Sequence, residues 1–363
     1  MAIREKSFRI GCGRYLQEPG IINTLGEEVL RLGTSPFIVG GKTALELTRK
    51  QIESSARASC PKHRIEMHAG SCNEDDAKTL AELAKSEGLD VIVGVGGGVI
   101  MDFAKMVAHF AKMPIINVPT SSATCAAYTP LSVMYTKDGR TVGSFHHKIE
   151  VDAVLADTRV ISTQPPRLLL AGVFDAMAKY LEIKHRYDGE GEDYPIGLDY
   201  AYVLAKRSFD VLSKKTDACL ADMKNGILSD AVEEVVFTSI AATGVISGIA
   251  RGSNQCALAH KFYEITRVLF NESARPYLHG EIVGVGLLLQ NVFNNEAFRN
   301  GELLKLMKAH SMPHGISDFG VEKTEEYFSE YYERIKNSSA INPENAEECE
   351  KLNSSLLSFW NAE

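Results

Sequence analysis

Apolar and polar positions follow two different patterns along this chain, and the change falls near residue 160. Before that point, short apolar runs alternate with segments whose apolar residues recur at helical spacing. This alternation is typical of a parallel β-sheet with helices on both faces. It predicts strands in FIVGG, HRIEMHAG, VIVGVGG, PIINVPT and AVLADTRVI, helices around residues 21–32, 43–57, 74–87 and 98–112, and a turn at 137–140 that closes a small hairpin.

After Pro165 and Pro166 the strand patterns nearly disappear, and helical patterns continue to the C-terminus. A length of 363 residues suits two domains, each with its own hydrophobic core. We therefore predict an α/β domain over residues 1–162 and an all-helical domain over residues 163–363. Residues 186–197 are predicted to form an exposed loop. The uncharged run 235–250 is short for a membrane span and predicts a buried helix.

Composition narrows the class of protein. A net charge of −8 without a basic cluster argues against nucleic acid or a membrane surface as a partner. The charged start MAIREKSFRIG does not resemble a secretory signal. Seven cysteines without a CxxC pair favour reduced thiols. We expect a cytoplasmic homo-oligomer that acts on a small molecule.

Three successive glycines, Gly96, Gly97 and Gly98, separate the run VIVGV from a predicted helix. Glycines at such a junction let the backbone approach a ligand closely. The N-terminus of the helix then favours an anion, most simply a pyrophosphate. Met101 stands where the GxGxxG fingerprint has its last glycine, so a plain tight turn is the alternative interpretation.

Further motifs identify a family. Asp102 and Lys105 complete a GGGxxxDxAK pattern, and PIINVPTSSATCAAYTPLSVMYTKDG follows it. With GRYLQEPG, LLLAGVFDAMAKYLE, ALAHKFY and YLHGEIVGVG in order, residues from about 10 to about 320 resemble the iron-containing (group III) alcohol dehydrogenase superfamily. The resemblance is greatest to its glycerol dehydrogenase branch, close to the hydroxycarboxylate dehydrogenases. It implies a dehydroquinate synthase-like fold, in which an α/β dinucleotide-binding domain precedes an all-helical catalytic domain.

A metal site is predicted in the helical part. Asp175 is the only charged residue between positions 168 and 178, and a buried carboxylate needs a cation or several donors. His260 and His279, taken singly, are more often core residues. At positions that match the family motifs, the three imply one divalent metal with an open coordination position, as catalytic zinc requires. Iron-using relatives carry a further histidine where this chain has Lys179, so zinc is favoured and iron stays possible.

The resemblance also implies NAD or NADP, and metal-assisted hydride transfer at a C–OH group. Glycerol dehydrogenases usually have Gly-Asp-Lys after the first α/β strand, and here the run is Gly40-Gly41-Lys42, which makes NADP at least as well supported as NAD. The predicted cofactor contacts are Gly41, Lys42, Gly96, Gly97, Gly98, Asp102, Thr120, Ala123, Thr129, Leu131 and Tyr135.

Cys125 bears on the substrate. Glycerol dehydrogenases have a substrate-contacting aspartate there, and the Thr-Cys-Ala-Ala run resembles relatives that reduce 2-oxo acids. With Asp175, His260 and His279 as the other catalytic residues, we predict an oxidoreductase acting on a small alcohol or polyol or, as Cys125 favours, on a 2-oxo or 2-hydroxy acid. Cys125 as an inert packing residue is the alternative. Glycerol dehydrogenase proper, a dehydroquinate synthase-like lyase and a binding protein without turnover are the competing functions.

Overall fold

A computed structural model describes residues 10–60, 62–137, 139–189 and 195–362. Within these residues the chain forms two compact units. The first comprises 10–165 and 214–245, and the second comprises 166–213 and 246–362. The boundary between residues 162 and 163 stays a prediction, and the structure groups 214–245 with the first unit rather than with the helices around it in sequence.

A parallel sheet forms the centre of the first unit. Its six strands have the order β1-β8-β5-β4-β2-β3, and every pair is parallel. All residues of the four central strands are buried, which requires cover on both faces of the sheet. Strands β6 and β7 pair antiparallel, as the predicted hairpin requires. The strands are β1 (Tyr15–Gln17), β2 (Pro36–Gly40), β3 (Arg64–Met67), β4 (Val91–Gly96), β5 (Ile115–Pro119), β6 (Leu131–Tyr135), β7 (Thr141–His146) and β8 (Ala153–Ala156).

Helices account for most of the rest of the described chain. In order they are α1 (Leu25–Leu30), α2 (Lys42–Ser59), α3 (Glu74–Ser86), α4 (Gly98–Ala111), α5 (Thr158–Ile161), α6 (Pro166–Gly189), α7 (Ile196–Lys224), α8 (Asp230–Phe237), α9 (Thr243–Ala250), α10 (Leu258–Leu269), α11 (Asn271–Ala274), α12 (His279–Phe293), α13 (Asn300–Ala309), α14 (Glu325–Lys336) and α15 (Ala346–Asn361). A 3-10 turn, Ile21–Thr24, precedes α1, and a π-turn, Thr238–Ala242, links α8 to α9.

Two predictions about secondary structure are wrong in part. The run AVLADTRVI is a strand only to Ala156, because the side chain of Asp157 accepts hydrogen bonds from the N–H groups of Arg159 and Val160 and starts helix α5. In the predicted loop 186–197, residues 186–189 belong to α6 and 196–197 to α7, while 190–194 lie outside the described residues. The three-residue strand β1 was not predicted.

An acidic side chain, that of Glu233, helps to hold segment 214–245 against the sheet. The amide of Gln17, at the end of β1, donates to Glu233 Oε2 at 2.7 Å, and the hydroxyl of Thr158 donates to Glu233 Oε1 at 2.6 Å. One helical stretch, Asp230–Ala250, is long and apolar enough to cross a membrane by length and composition. Of its most apolar window 61% is buried inside the protein, and core helices pass the same test.

The second unit has its own aromatic core. Phe262 and Tyr331 stack with ring centroids 5.3 Å apart, and the Tyr331 hydroxyl lies 2.7 Å from Oγ1 of Thr266. In the same unit, His185 is buried on α6, where its ring stacks on Phe293 at 4.6 Å and Nε2 donates to the carbonyl oxygen of Ala340 at 2.9 Å. No described residue of this unit lies in a strand. None of the seven cysteines of the chain forms a disulfide.

Candidate active site

Three helices of the second unit bring one carboxylate and two imidazoles together. Asp175 lies on α6, His260 on α10, and His279 is the first residue of α12. Their ligand atoms all lie within 4.8 Å of one another. Nε2 of each histidine lies 3.4 Å from Oδ1 of Asp175. The structure thus gathers the three residues that the sequence grouped, and their role as metal ligands stays a prediction.

Two glycines allow α12 to approach the helices that carry the other two residues. A Cβ atom on Gly280 would lie 1.8 Å from the carbonyl oxygen of Ala171, one turn before Asp175 on α6. A Cβ atom on Gly286 would lie 2.7 Å from the carbonyl oxygen of Ala259 on α10. Any side chain at either position would push the helices apart. The glycines therefore set the spacing of the candidate ligands.

Glu281 fixes the start of α12, where His279 lies. Its carboxylate accepts a hydrogen bond from the N–H of Leu278 at 2.6 Å, as in a capping box. The same carboxylate forms a two-point ion pair with Arg167, at the beginning of α6, with both N–O distances 2.6 Å. This fork joins the N-termini of the two helices and so holds His279 beside α6.

Glu182 orients His260, and sequence reasoning missed it. Its Oε2 accepts a hydrogen bond from Nδ1 of His260 at 2.5 Å, and its Oε1 accepts from the N–H groups of Ala257 at 2.7 Å and His260 at 2.8 Å. A carboxylate on Nδ1 keeps the proton on that nitrogen and leaves the lone pair of Nε2 for a metal. The available signal was spacing, since Glu182 lies seven residues after Asp175 on one helix face.

His279 is the accessible member of the group. Its side chain is 33% exposed, whereas those of Asp175 and His260 are 9% exposed. The ring of Tyr263 packs edge-on against the His279 imidazole at a centroid distance of 4.2 Å and restricts its rotation. A small molecule in solvent therefore reaches the candidate ligands from the His279 side.

The charges at the site fit a divalent cation. Among the described residues, Oδ1 of Asp175 is buried and has no hydrogen-bond partner of good geometry. Burial alone would raise the pKa of Asp175, but Lys179 and the two imidazoles hold it well below its usual value. Burial would lower the pKa of His260, but Cys256 and Glu182 raise it well above its usual value. An ionised oxygen and a nitrogen site that attracts positive charge are a suitable donor set for a divalent cation.

In the first unit, the predicted cofactor residues surround a strand-to-helix junction. Gly96 ends β4, Gly97 caps α4, and Gly98 is the first helical residue. The N–H of Gly41 donates to the carbonyl oxygen of Val95 at 3.2 Å, and that of Thr120 donates to Gly96 at 2.9 Å. The carboxyl ends of β2, β4 and β5 therefore meet at the N-terminus of α4, the edge where parallel α/β sheets bind ligands.

The loop after β5 adds two hydroxyl groups that sequence reasoning did not single out. Oγ of Ser121 lies 3.4 Å from the position that a Cβ on Gly97 would take, and Oγ1 of Thr124 lies 3.0 Å from that on Gly98. Both hydroxyls stand beside a helix N-terminus, where they complement free N–H groups. Ala123 lies between them in this loop.

Asp102 and Lys105 hold the next segment in place. Oδ2 of the buried Asp102 accepts from the N–H of Val133 at 3.0 Å, and Oδ1 lies 3.0 Å from the ammonium of Lys105. That ammonium donates to the carbonyl oxygens of Thr129, at 2.9 Å, and Leu131. The pair thus shapes the segment that carries two predicted cofactor contacts, and a direct cofactor contact of Asp102 stays a prediction.

The other predicted residues also lie in the first unit. Lys42 is exposed at the start of α2. Tyr135 ends β6, and its N–H donates to the carbonyl oxygen of Cys72 at 2.8 Å. Cys125 is half-buried in a turn, where its carbonyl oxygen accepts from the N–H of Tyr128 at 2.9 Å. Their roles toward cofactor and substrate stay predictions.

Comparison with known proteins gives the same family as the motifs. The model of the iron-containing alcohol dehydrogenase family matches residues 12–158. Glycerol dehydrogenase of Thermotoga maritima is 32% identical over 281 residues, which cover 76% of this chain and 74% of that protein. Hydroxycarboxylate dehydrogenase A of Escherichia coli is 31% identical over 286 residues, which cover 78% of this chain and 76% of that protein.

The fold of the chain also matches that of solved structures of glycerol dehydrogenases. The crystal structure of glycerol dehydrogenase from Schizosaccharomyces pombe superposes with a TM-score of 0.80 at 21% identity, over 96% of this chain and 89% of that one. The resemblance and the fold class predicted from the sequence are confirmed. The chain belongs to the iron-containing alcohol dehydrogenase family, as a metal-dependent, nicotinamide-linked oxidoreductase that acts on CH–OH groups.

Proposed function

We propose that this enzyme uses zinc, held by Asp175, His260 and His279, and that it prefers to reduce a small 2-oxo acid rather than to oxidise glycerol. The grouping of the three ligand atoms within 4.8 Å is the observation that carries the metal part of the proposal. A metal held there would supply a Lewis acid for the substrate oxygen, and a nicotinamide cofactor would supply or accept the hydride.

The protein side chains supply the rest. Asp175 would contribute a charged oxygen and each histidine Nε2, and a set of three protein ligands would suit a catalytic rather than a closed structural metal site. Glu182 keeps Nδ1 of His260 protonated and the ring in one orientation. The donor set also accepts iron, and Lys179 in place of a fourth donor favours zinc.

The first unit would bind the dinucleotide. The N-terminus of α4 and the hydroxyls of Ser121 and Thr124 form a cradle for the pyrophosphate at Gly97 and Gly98. Lys42, exposed at the start of α2, would attract the 2′-phosphate of NADP, and Gly41 before it stands in place of the aspartate that would repel that phosphate. We propose that the enzyme accepts NADP(H) at least as well as NAD(H). A homo-oligomeric state and a cytoplasmic location belong to the same proposal.

Cys125 carries the substrate preference. A half-buried thiol cannot anchor a polyol hydroxyl as a carboxylate does, and it does not repel a carboxylate substrate. Two unit charges about 4 Å apart interact by about 4 kcal/mol at an effective dielectric constant of about 20. Even a third of that energy changes a rate about tenfold. One residue at this position is therefore sufficient to reverse the preference.

A substrate panel tests the proposal. The zinc-reconstituted enzyme is assayed with glycerol, 1,2-diols, 2-oxobutanoate and 2-oxoglutarate, each with both cofactors. We expect the highest kcat/KM for a small 2-oxo acid, and we expect Cys125→Asp to lower it while raising glycerol oxidation. Glycerol turnover far above 2-oxobutanoate turnover shows glycerol dehydrogenase proper, the function of the Thermotoga relative, and makes Cys125 a packing residue.

A further inference from the structure

A buried cation lies next to the candidate ligands. Lys179 is on α6, four residues after Asp175 and three before Glu182, so the three side chains share one face of the helix. Lys179 is 6% exposed, and the carboxylate-bearing residues one turn before and after it, Asp175 and Glu182, are buried as well. A lysine is rarely so buried without a role for its charge.

Helix geometry places its charge beside the site. Lys179 lies one helical turn after Asp175 and one turn before Glu182, the carboxylate that holds the His260 ring, and all four residues are buried. With both imidazoles neutral, the charges of the two carboxylates and the ammonium sum to −1. A divalent metal changes this to +1. Without the lysine, the loaded site would be neutral.

We propose that Lys179 gives the metal-loaded site a net charge of +1 and thereby makes it select a substrate that carries one carboxylate next to the reacting carbon. This inference rests on the proposed metal site, and it concerns a second residue, remote in sequence from Cys125. The lysine acts here as a specificity-determining residue through its charge. It needs no contact with the substrate.

The proposal makes two predictions of opposite sign. Removing the ammonium removes repulsion toward the metal, so the metal should bind more tightly. It also removes attraction toward an anion, so a carboxylate ligand should bind more weakly. If the lysine had only a structural role, its removal would weaken the binding of the metal and of every ligand alike. The difference in sign separates the two roles.

Lys179→Met is the test variant, since methionine keeps an unbranched stem without the charge. Lys184→Met is the matched control on the same helix, where Lys184 pairs with Glu296 at 3.3 Å and is only partly exposed. The full chain is used, loaded with zinc. Zinc affinity is measured by chelator competition. Calorimetry then measures binding of lactate and lactamide, which differ in a carboxylate against a carboxamide.

In Lys179→Met we expect zinc to bind about tenfold or more tightly, and lactate to bind about tenfold or more weakly, with lactamide nearly unchanged. Lys184→Met should match the unmodified protein. An unchanged ratio of lactate to lactamide affinity in Lys179→Met overturns the proposal. The unmodified protein provides a measurement that does not depend on folding of the variant, because equal affinity for lactate and lactamide in its zinc-loaded form also overturns the proposal.

The two proposals fail in different ways. Zinc that binds equally well to His279→Ala shows that the triad is not the metal site, which overturns the proposed function and this inference with it. Zinc that binds at the triad, with an anion preference that does not depend on Lys179, overturns this inference alone.

Discussion

Glu182→Gln offers the sharpest test of how the metal site is built. Glutamine has the shape of glutamate, but it replaces one acceptor oxygen with an NH2 donor. The Glu182 carboxylate accepts from three donors, namely Nδ1 of His260 and the N–H groups of His260 and Ala257. Neither orientation of the amide satisfies all three donors.

Each orientation fails for a different reason. With the amide oxygen toward the backbone, the NH2 group faces Nδ1 of His260 and moves the ring proton to Nε2, which then cannot bind a metal. With the oxygen toward Nδ1, the NH2 group faces the N–H groups of Ala257 and His260, and buried donors lose their acceptor. An unsatisfied buried donor costs about 1–3 kcal/mol. Loss of a carboxylate behind a ligating histidine lowers metal affinity about 10- to 100-fold.

The assay is zinc affinity by chelator competition, followed by activity at saturating zinc. We expect the zinc affinity of Glu182→Gln to be about 10- to 100-fold lower than that of the unmodified protein, and excess zinc to restore most of the activity. Glu296→Gln is the matched control, because Glu296 is a buried carboxylate that pairs with Lys184 away from the three candidate ligands. Unchanged zinc affinity in Glu182→Gln would refute the role assigned to this carboxylate.

Three further predictions follow from individual residues. His279→Ala should lose metal and turnover while it still folds and binds nucleotide, and full activity in a metal-free sample contradicts this. Gly97→Val should lower dinucleotide affinity about tenfold or more, because its side chain occupies the space that the ligand needs. Little stability should be lost, since a Cβ there lies 3.4 Å from its nearest neighbour. Unchanged dinucleotide binding in a titration would place the pyrophosphate elsewhere. Burial lowers the pKa of His185 from 6.5 to about 4. Between these pH values the imidazole is protonated in the unfolded chain and neutral in the folded protein. The free energy of unfolding should therefore fall by about 3 kcal/mol as pH drops from about 6.5 to about 4. Urea unfolding of His185→Leu should show a smaller dependence of this free energy on pH. An equal pH dependence in both proteins rules out His185 as the cause.

The strand-to-helix junction at Gly96 and the helix that begins at His279 were predictable because local composition specifies them. Three glycines after an apolar run fix a tight junction, and the structure has it within one residue of the predicted bounds. Asp175 was predictable for a similar reason, since a lone charge in an apolar helix requires a partner. The family motifs added the two histidines.

Long-range contacts were not predictable in the same way. Strand β1 has three residues and lies at the edge of the sheet, so its sequence carries almost no strand pattern. The sequence of segment 214–245 predicts further helices in a series of helices, and its place beside the sheet follows from long-range contacts such as the hydrogen bonds from Gln17 and Thr158 to Glu233. Glu182 lies in the polar-looking run YLEIKH, where an acid ordinarily indicates a solvated helix face.

The candidate site also shows why naming ligands is not sufficient to define a metal centre. Ligands must be held within about 0.5 Å of a productive geometry. Gly280 and Gly286 provide that accuracy, because α12 lies so close to α6 and α10 that Cβ atoms there would be 1.8 Å and 2.7 Å from backbone oxygens. An ordinary contact is about 3.5 Å, so even alanine at position 280 would require a shift of more than an ångström in the helix that begins with His279. The sequence YLHGEIVGVG thus combines a ligand with the glycines that position it.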